Sequence, residues 1–260
     1  MLEDTATVAL RIYLTGRVAL EWNGTLFDQA AFAGRQGALV FARLLMPRGS
    51  AVSRDELATL LWDEKPPNAW DAALNALISK LRVLLARAGL DKSRVLPSAL
   101  GCYRLDLPAN AWLDVEAAFD SLHAAEGLLK RDQHREAWAA AQVAYHIYRR
   151  PFLPAETGAW AARQREQLAT FHVRACECLS ETYIHNGEAR IAVDLAREAV
   201  AAQPYRETAY QMLMRAHVAA GNRAEALLTF EECRRRISDG LGVAPSAGTE
   251  DVYLGILRSR

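Results

Sequence analysis

The stretch AALNALISKLRVLLARAG, Ala72–Gly89, carries two unlike stripes at helical spacing. Leu74, Leu77, Ile78, Leu81, Leu84 and Leu85 recur every three or four residues and predict an apolar face directed at a core. At about 100° per residue the opposite stripe is Ala72, Asn75, Ser79, Arg82 and Ala86, with Lys80 on a flank. An ordinary solvated face carries more charge, and of both signs. This one offers small residues, one amide, one hydroxyl and one guanidinium. It has room for a close-fitting polar partner.

The segments on either side of this helix set its context. Upstream, VSRDELATLLW holds Ser53 three residues before Glu56, a capping box that satisfies two orphan amides and starts a short helix. Between the two, DEKPPNAWD cannot remain helical, because two prolines remove donors and clash with the preceding turn. Earlier still, RQGALVFARLLMPRG places Leu39, Leu44 and Leu45 towards one side of a first helix, which stops at Pro47 and Gly49. The opening residues alternate as short strands, VALRIYL and RVALEW, then TLFD after the turn-like WNGT. Downstream, RVLPSALGCYRLDLP reads as two strands with a turn around Ser98–Gly101. Strands, three helices and a hairpin predict an α+β winged helix-turn-helix domain over residues 1–108, with the hairpin as the wing.

From about Asn110 onward no strand is expected, and residues 109–260 read as a second, all-α domain. The pattern repeats there. Leu179, Tyr183, Gly187, Ala192, Ala196, Ala199 and Pro204 recur 34 residues later as Leu213, His217, Gly221, Ala226, Phe230, Cys233 and Ser238. That is the period of the tetratricopeptide helix–turn–helix unit, whose small residues let two helices pack closely. A weaker unit, with Ala124, Leu128, Ala137, Ala141 and Ala144, stands 55 residues before the next. The difference calls for a long intervening helix, from about Gly158 to His185.

Composition narrows the classes of function. With 51% hydrophobic and 24% charged residues, the chain is an ordered globular protein. Arg43 interrupts the best apolar run short of the roughly 18 residues that span a bilayer. The acidic start MLEDTATVALRIYL lacks the features of a signal peptide, so the expected location is the cytoplasm, with no membrane partner. Cys176 and Cys178 point about 200° apart on a helix and cannot grip zinc together. With Cys102 and Cys233 they are expected to be buried small hydrophobes, and no metal or cofactor is expected. Formal net charge is zero, but residues 80–104 hold six basic side chains (Lys80, Arg82, Arg87, Lys92, Arg94, Arg104) against one acid, Asp91. Such a local patch suits docking on phosphate.

The segments VSRDELATLLW, ISKLR and GCYRLDL resemble the effector domain of the OmpR-type winged helix-turn-helix. YRRPFLPAETGAWAARQREQL and LGVAPSAGTEDVYLGIL resemble the bacterial transcriptional activator domain. That pairing, in that order, is similar to the SARP-type antibiotic-pathway activators, from about Val8 to Leu257. The resemblance implies an activator that binds double-stranded DNA at promoter direct repeats and recruits RNA polymerase. The repeats would serve protein interaction, regulation or self-association. The recognition helix matches AALNALISKLR, which implies base contacts from Asn75, Ser79 and Arg82 and a phosphate contact from Lys80. These residue types suit base edges: Arg pairs with guanine, Asn with adenine, and Ser adapts.

Further backbone contacts are expected from Arg35, Gln36, Ser53 and Arg54 at helix starts, where free amides hold phosphate, and from Tyr103 and Arg104 in the hairpin. Ser53 can equally serve only as a cap, and Tyr103 only as packing. The DEKPPNAWD loop is by resemblance a candidate polymerase contact. Two departures stand out. The wing tip, SALGCY, carries Ala99 and Leu100 where many relatives carry charge, and nothing resembles a phosphoacceptor pocket.

Enzyme motifs are missing: there is no Walker-type glycine loop, Gly-x-Ser-x-Gly elbow or His-Glu-x-x-His helix. His172 and His185 are expected on helix surfaces, and no enzyme is expected. Two other functions fit the same segments: a protein–protein scaffold with a degenerate winged helix, and a regulator whose repeats hold a small molecule.

Overall fold

The computed structural model describes residues 10–63 and 65–258. Val8 and Ala9, the first two residues of the expected opening strand, lie outside the described residues, as does Glu64 of the proline-containing loop. Two compact units emerge, one of residues 1–116 with 150–165, the other of residues 117–149 with 166–260.

The first unit begins with strands β1 (Leu10–Tyr13), β2 (Ala19–Trp22) and β3 (Thr25–Phe27), paired antiparallel in sequence. Asn23 and Gly24 both take positive φ between β2 and β3, the tight turn that an Asn-Gly pair favours. Three helices follow: α1 (Gly34–Leu45), α2 (Arg54–Trp62) and α3 (Trp70–Arg87). The capping box is formed as expected, since Ser53 Oγ accepts from Glu56 N while the Glu56 carboxylate accepts from Ser53 N. All six apolar residues of the α3 stripe are buried. Gly89, with φ +75°, ends that stretch under the ring of Trp22, and an added Cβ would lie 2.6 Å from it.

A three-stranded sheet lies beside these helices. It orders β4 (Val52–Ser53), β6 (Cys102–Tyr103) and β5 (Ser98–Ala99). The hairpin therefore forms where the sequence placed it.

The expectation of no strand beyond Asn110 fails. Strand β7 (Trp112–Leu113) pairs parallel with β1, and Phe152 bridges Thr15. Two-residue pairings of this kind leave no periodic trace in a sequence, because their partners sit about 100 residues away. The PFLPAE segment is held by Gly16 N donating to Pro151 O at 2.8 Å and Leu153 N donating to Leu14 O at 3.0 Å. At the end of β7 the Asp114 carboxylate accepts from Leu14 N, Thr15 N, Thr15 Oγ1 and Val115 N at 2.7–3.1 Å. Burial pushes its pKa up, and the hydrogen bonds from Thr15, Leu14 and Val115 oppose that shift.

The remaining helices are α4 (Asp114–Leu129), α5 (His134–Tyr148), α6 (Ala159–His185), α7 (Ala189–Ala202), α8 (Glu207–Ala219), α9 (Arg223–Leu241) and α10 (Ala247–Arg258). The long helix α6 is the expected one. In the second unit the tetratricopeptide-like repeat appears as one turn used three times. Gln133 N donates to Leu128 O, Glu188 N to Tyr183 O and Asn222 N to His217 O, with Asp132, Gly187 and Gly221 in the left-handed region. These turns cap each first helix by satisfying its terminal carbonyls. Small residues then let α7 meet α8: Ala192, Val193 and Ala196 pack on Met212, Leu213 and Ala216. Cys176, Cys178 and Cys233 are buried and Cys102 is partly so, all as free thiols.

Two measurements test these contacts. Asp114→Ala strands buried amides at Leu14 and Thr15, and should cost at least about 2 kcal/mol, read as a lower urea midpoint. His217, where the previous repeat has Tyr183, has its pKa lowered by burial and then by Arg197. Below about pH 6.5 the unfolded chain therefore takes up a proton that the folded one refuses, and stability falls with falling pH. His217→Tyr should flatten the thermal midpoint between pH 7.5 and 5.5.

Candidate nucleic-acid interface

The outward face of α3 is the natural starting point, because its inward face is consumed by the core. Ala72, Asn75, Ala76, Ser79, Lys80, Val83 and Arg87 are exposed, whereas Arg82 and Ala86 are only partly so. The open stripe is thus rotated from the expected one. Its centre runs through Ala72, Ser79 and Val83, the last 47% exposed. Val83 stands 11 residues from Ala72, within about 20° of three full turns, so helical arithmetic alone could have placed it there.

One edge of the stripe is organised by Arg54, at the first turn of α2. Its Nη1 donates to Asn75 Oδ1 at 3.1 Å and to the Tyr103 hydroxyl, while Nη2 pairs with Asp71. Tyr103 OH in turn donates to Asn75 Oδ1 at 3.1 Å, and Asn75 Nδ2 donates to Asp71 Oδ2 at 3.3 Å. The Arg54 guanidinium also lies 5.5 Å from the Tyr103 ring centroid, a cation–π contact. Three expected contact residues, Arg54, Asn75 and Tyr103, are therefore one network drawn from two helices and a strand. Asp71 was missed by sequence reasoning. It lies four residues before Asn75, one turn away on the same face, which was the available signal. Its hydrogen bond raises the pKa of Arg54 above the usual guanidinium value.

The other edge is the hairpin. Arg54 N donates to Gly101 O at 3.0 Å, and Arg82 Nε and Nη2 donate to Leu96 O at 3.1 and 2.7 Å. Arg82 thus ties α3 to the segment leading into the hairpin instead of standing clear on the open stripe. At the tip, Leu100 and Gly101 both take positive φ, and the Leu100 side chain is fully exposed. Arg104 faces outward and pairs with Asp106, its Nε 2.6 Å from Oδ1.

The remaining expected residues divide. Ser53 is engaged as the α2 cap, and the neighbouring Glu56 carboxyl is held below its usual range first by the Ser53 backbone N–H. Arg35, at the start of α1, makes a two-oxygen contact through Nε with the buried Glu156 carboxylate at 3.0–3.1 Å. Gln36 beside it is exposed. The face offers hydrogen-bond donors, a patch of small side chains and one exposed valine. It brings together no nucleophile and general base.

A helical chain with a small N-terminal sheet is an architecture shared with known transcription regulators. The model of the bacterial transcriptional activator domain matches residues 113–257. The chain belongs to that family, among its SARP-type members. It is 29% identical over 257 residues to the regulatory protein AfsR of Streptomyces coelicolor, covering 99% of this chain and 25% of that one. With the transcriptional regulator RedD of the same organism it shares 31% over 221 residues, 83% of this chain and 61% of RedD. The solved structure of Mycobacterium tuberculosis EmbR in complex with a low-affinity phosphopeptide superimposes with a TM-score of 0.86 at 25% identity, covering 96% of this chain and 65% of that one. The chain thus spans between a quarter and about two thirds of the length of these relatives. No described helix is long and apolar enough to cross a membrane.

Arg82→Ala should loosen the hairpin, costing about 1 kcal/mol and speeding amide exchange at Tyr103 and Arg104. Ser79→Ala and Lys80→Ala, on the open stripe, should leave stability within about 0.5 kcal/mol of the parent.

Proposed function

We propose that the chain is a cytoplasmic, sequence-specific DNA-binding activator. Residues 1–108 would form the winged helix-turn-helix domain, with α3 as recognition helix and the β5–β6 hairpin as wing. Residues 109–260 would form the activator domain. The observation that carries this reading is the division of α3. Its apolar face is spent on the core, while its outward face is lean and bordered by the Arg54–Asn75–Tyr103 network. The family's named regulators, AfsR and RedD, support a role in transcription. Binding to direct repeats near promoters and recruitment of RNA polymerase are part of the proposal.

The chemistry assigns roles within that face. Asn75 and Ser79 offer hydrogen bonds to base edges, and Val83 offers an apolar contact for a thymine methyl. Arg82 has five N–H donors, of which two serve Leu96 O, so the remainder are available to guanine. Lys80, Arg35, Gln36, Ser53, Arg54, Tyr103 and Arg104 would position the phosphates, which compete with Asp71 for Arg54 and with Asp106 for Arg104.

A second reading, a protein–protein scaffold with an idle winged helix, draws on one observation. Arg35, Arg54 and Arg104 are each paired with a carboxylate of this same chain. Affinity for promoter fragments measured against salt decides between the two. An activator gives a logarithmic slope of about −0.9 for each phosphate contacted, and a scaffold shows no binding at any salt. Over a randomised site library, Arg82→Ala should relax preference at one base pair by about 1–3 kcal/mol. Lys80→Ala should weaken all sequences alike and reduce the salt slope by about one. Even losses in both variants would overturn the assignment of roles on α3.

A further inference from the structure

The second unit holds a polar cluster that DNA binding does not use. His172 and Cys176 stand one turn apart on the same face of α6, and Glu198 reaches them from α7. His172, expected on a helix surface, is instead buried, with 8% exposure, and Cys176 is fully buried. His172 Nε2 lies 3.0 Å from Glu198 Oε1 and 3.7 Å from Cys176 Sγ, and the three ligand atoms all lie within 4.8 Å of one another. Zinc bonded to nitrogen and oxygen at about 2.0–2.1 Å and to sulfur at about 2.3 Å sets tetrahedral ligand separations of about 3.3–3.6 Å. Adjustments of a few tenths of an ångström bring the two pairs at His172 Nε2 to those values, and closure of Glu198 on Cys176 completes the set.

We propose that His172, Cys176 and Glu198 bind a divalent transition metal, with zinc the best fit. One imidazole, one thiolate and one carboxylate match the ligand preferences of that ion and not those of magnesium or calcium, which take oxygen alone. The surroundings orient the set. Tyr145 on α5 donates its hydroxyl to Glu198 Oε2 at 2.9 Å, leaving Oε1 turned to His172. The Tyr145 ring also stacks on the His172 imidazole, with centroids 5.4 Å apart and planes 25° apart. Such outer partners fix ligand direction in metal sites. Glu198 is part-exposed, which supplies a path from solvent and room for water as a fourth ligand.

Burial pushes the Cys176 thiol up, so without metal it keeps its proton. On binding, the S–H bond breaks, the sulfur pair bonds the metal and the proton leaves to solvent, with no change of oxidation state. The ion would join α6 to α7 and make the stability of the repeats depend on metal supply. The H-x-x-x-C spacing on a helix was visible in the sequence, but Glu198 is 22 residues beyond Cys176, and no spacing rule connects them.

The test uses the whole chain, stripped with chelator and titrated with zinc and then with cobalt(II). Expected are one equivalent bound, a proton released and a raised thermal midpoint. The cobalt form should show thiolate-to-metal charge-transfer absorption. Cys176→Ala should abolish that absorption and weaken binding at least 100-fold with helicity unchanged. Tyr145→Phe should weaken it about 10–100-fold. Cys178→Ala, on another face of α6, should change neither. Should Cys176→Ala fail to fold, His172→Gln carries the same expectation. No saturable uptake by the parent chain, or uptake unaltered in the ligand variants, overturns the proposal.

Discussion

The carboxylate of Asp114 joins segments of the first unit that lie about 100 residues apart in the chain. It accepts from the amides of Leu14 and Thr15 where β1 ends, and from Val115 where α4 begins. β7 enters the sheet parallel to β1 directly before this residue. The same end of β1 receives the PFLPAE segment through Gly16 and Leu14. A buried carboxylate is costly by itself, and its raised pKa records that cost. Four donors make the site tolerable, and three are backbone amides that otherwise would be buried without partners. The arrangement works only when both chain segments are present, so it specifies the fold as well as stabilising it.

What the sequence disclosed follows from how far apart the interacting residues are. The two faces of α3, the Ser53 capping box and the Asn-Gly turn rest on neighbours close in the chain, and the helical repeat shows itself by its 34-residue period, so each left a trace in the sequence. The register of 55 before the first full repeat likewise announced the long α6. β7, the bridge at Phe152 and the gathering of residues 150–165 into the first unit rest on distant partners. Nothing local encodes them. His172 misled for the same reason, since its burial comes from α5 and α7 and not from its own helix.

The candidate interface shows the same limit at the level of single side chains. Residue type and spacing brought Asn75, Ser79 and Lys80 to the exposed face of α3. They could not show that Arg82 reaches across to Leu96 O, that Asp71 occupies Arg54, or that Arg35 is held by Glu156. A long cationic side chain can serve many acceptors, and the choice among them is tertiary. These pairings also change the electrostatics of the surface. Arginines already matched to carboxylates add little net field, so a ligand must offer better geometry than the internal partner.

At the hairpin tip Leu100 holds a left-handed backbone that costs a branched side chain about 1–2 kcal/mol, and its apolar surface meets only water. Glycine or asparagine would relieve that strain without disturbing a contact inside the chain. Either exchange is accordingly a stabilising change that leaves the packing of the chain untouched, so a loss of function on making it would assign a role to the tip itself.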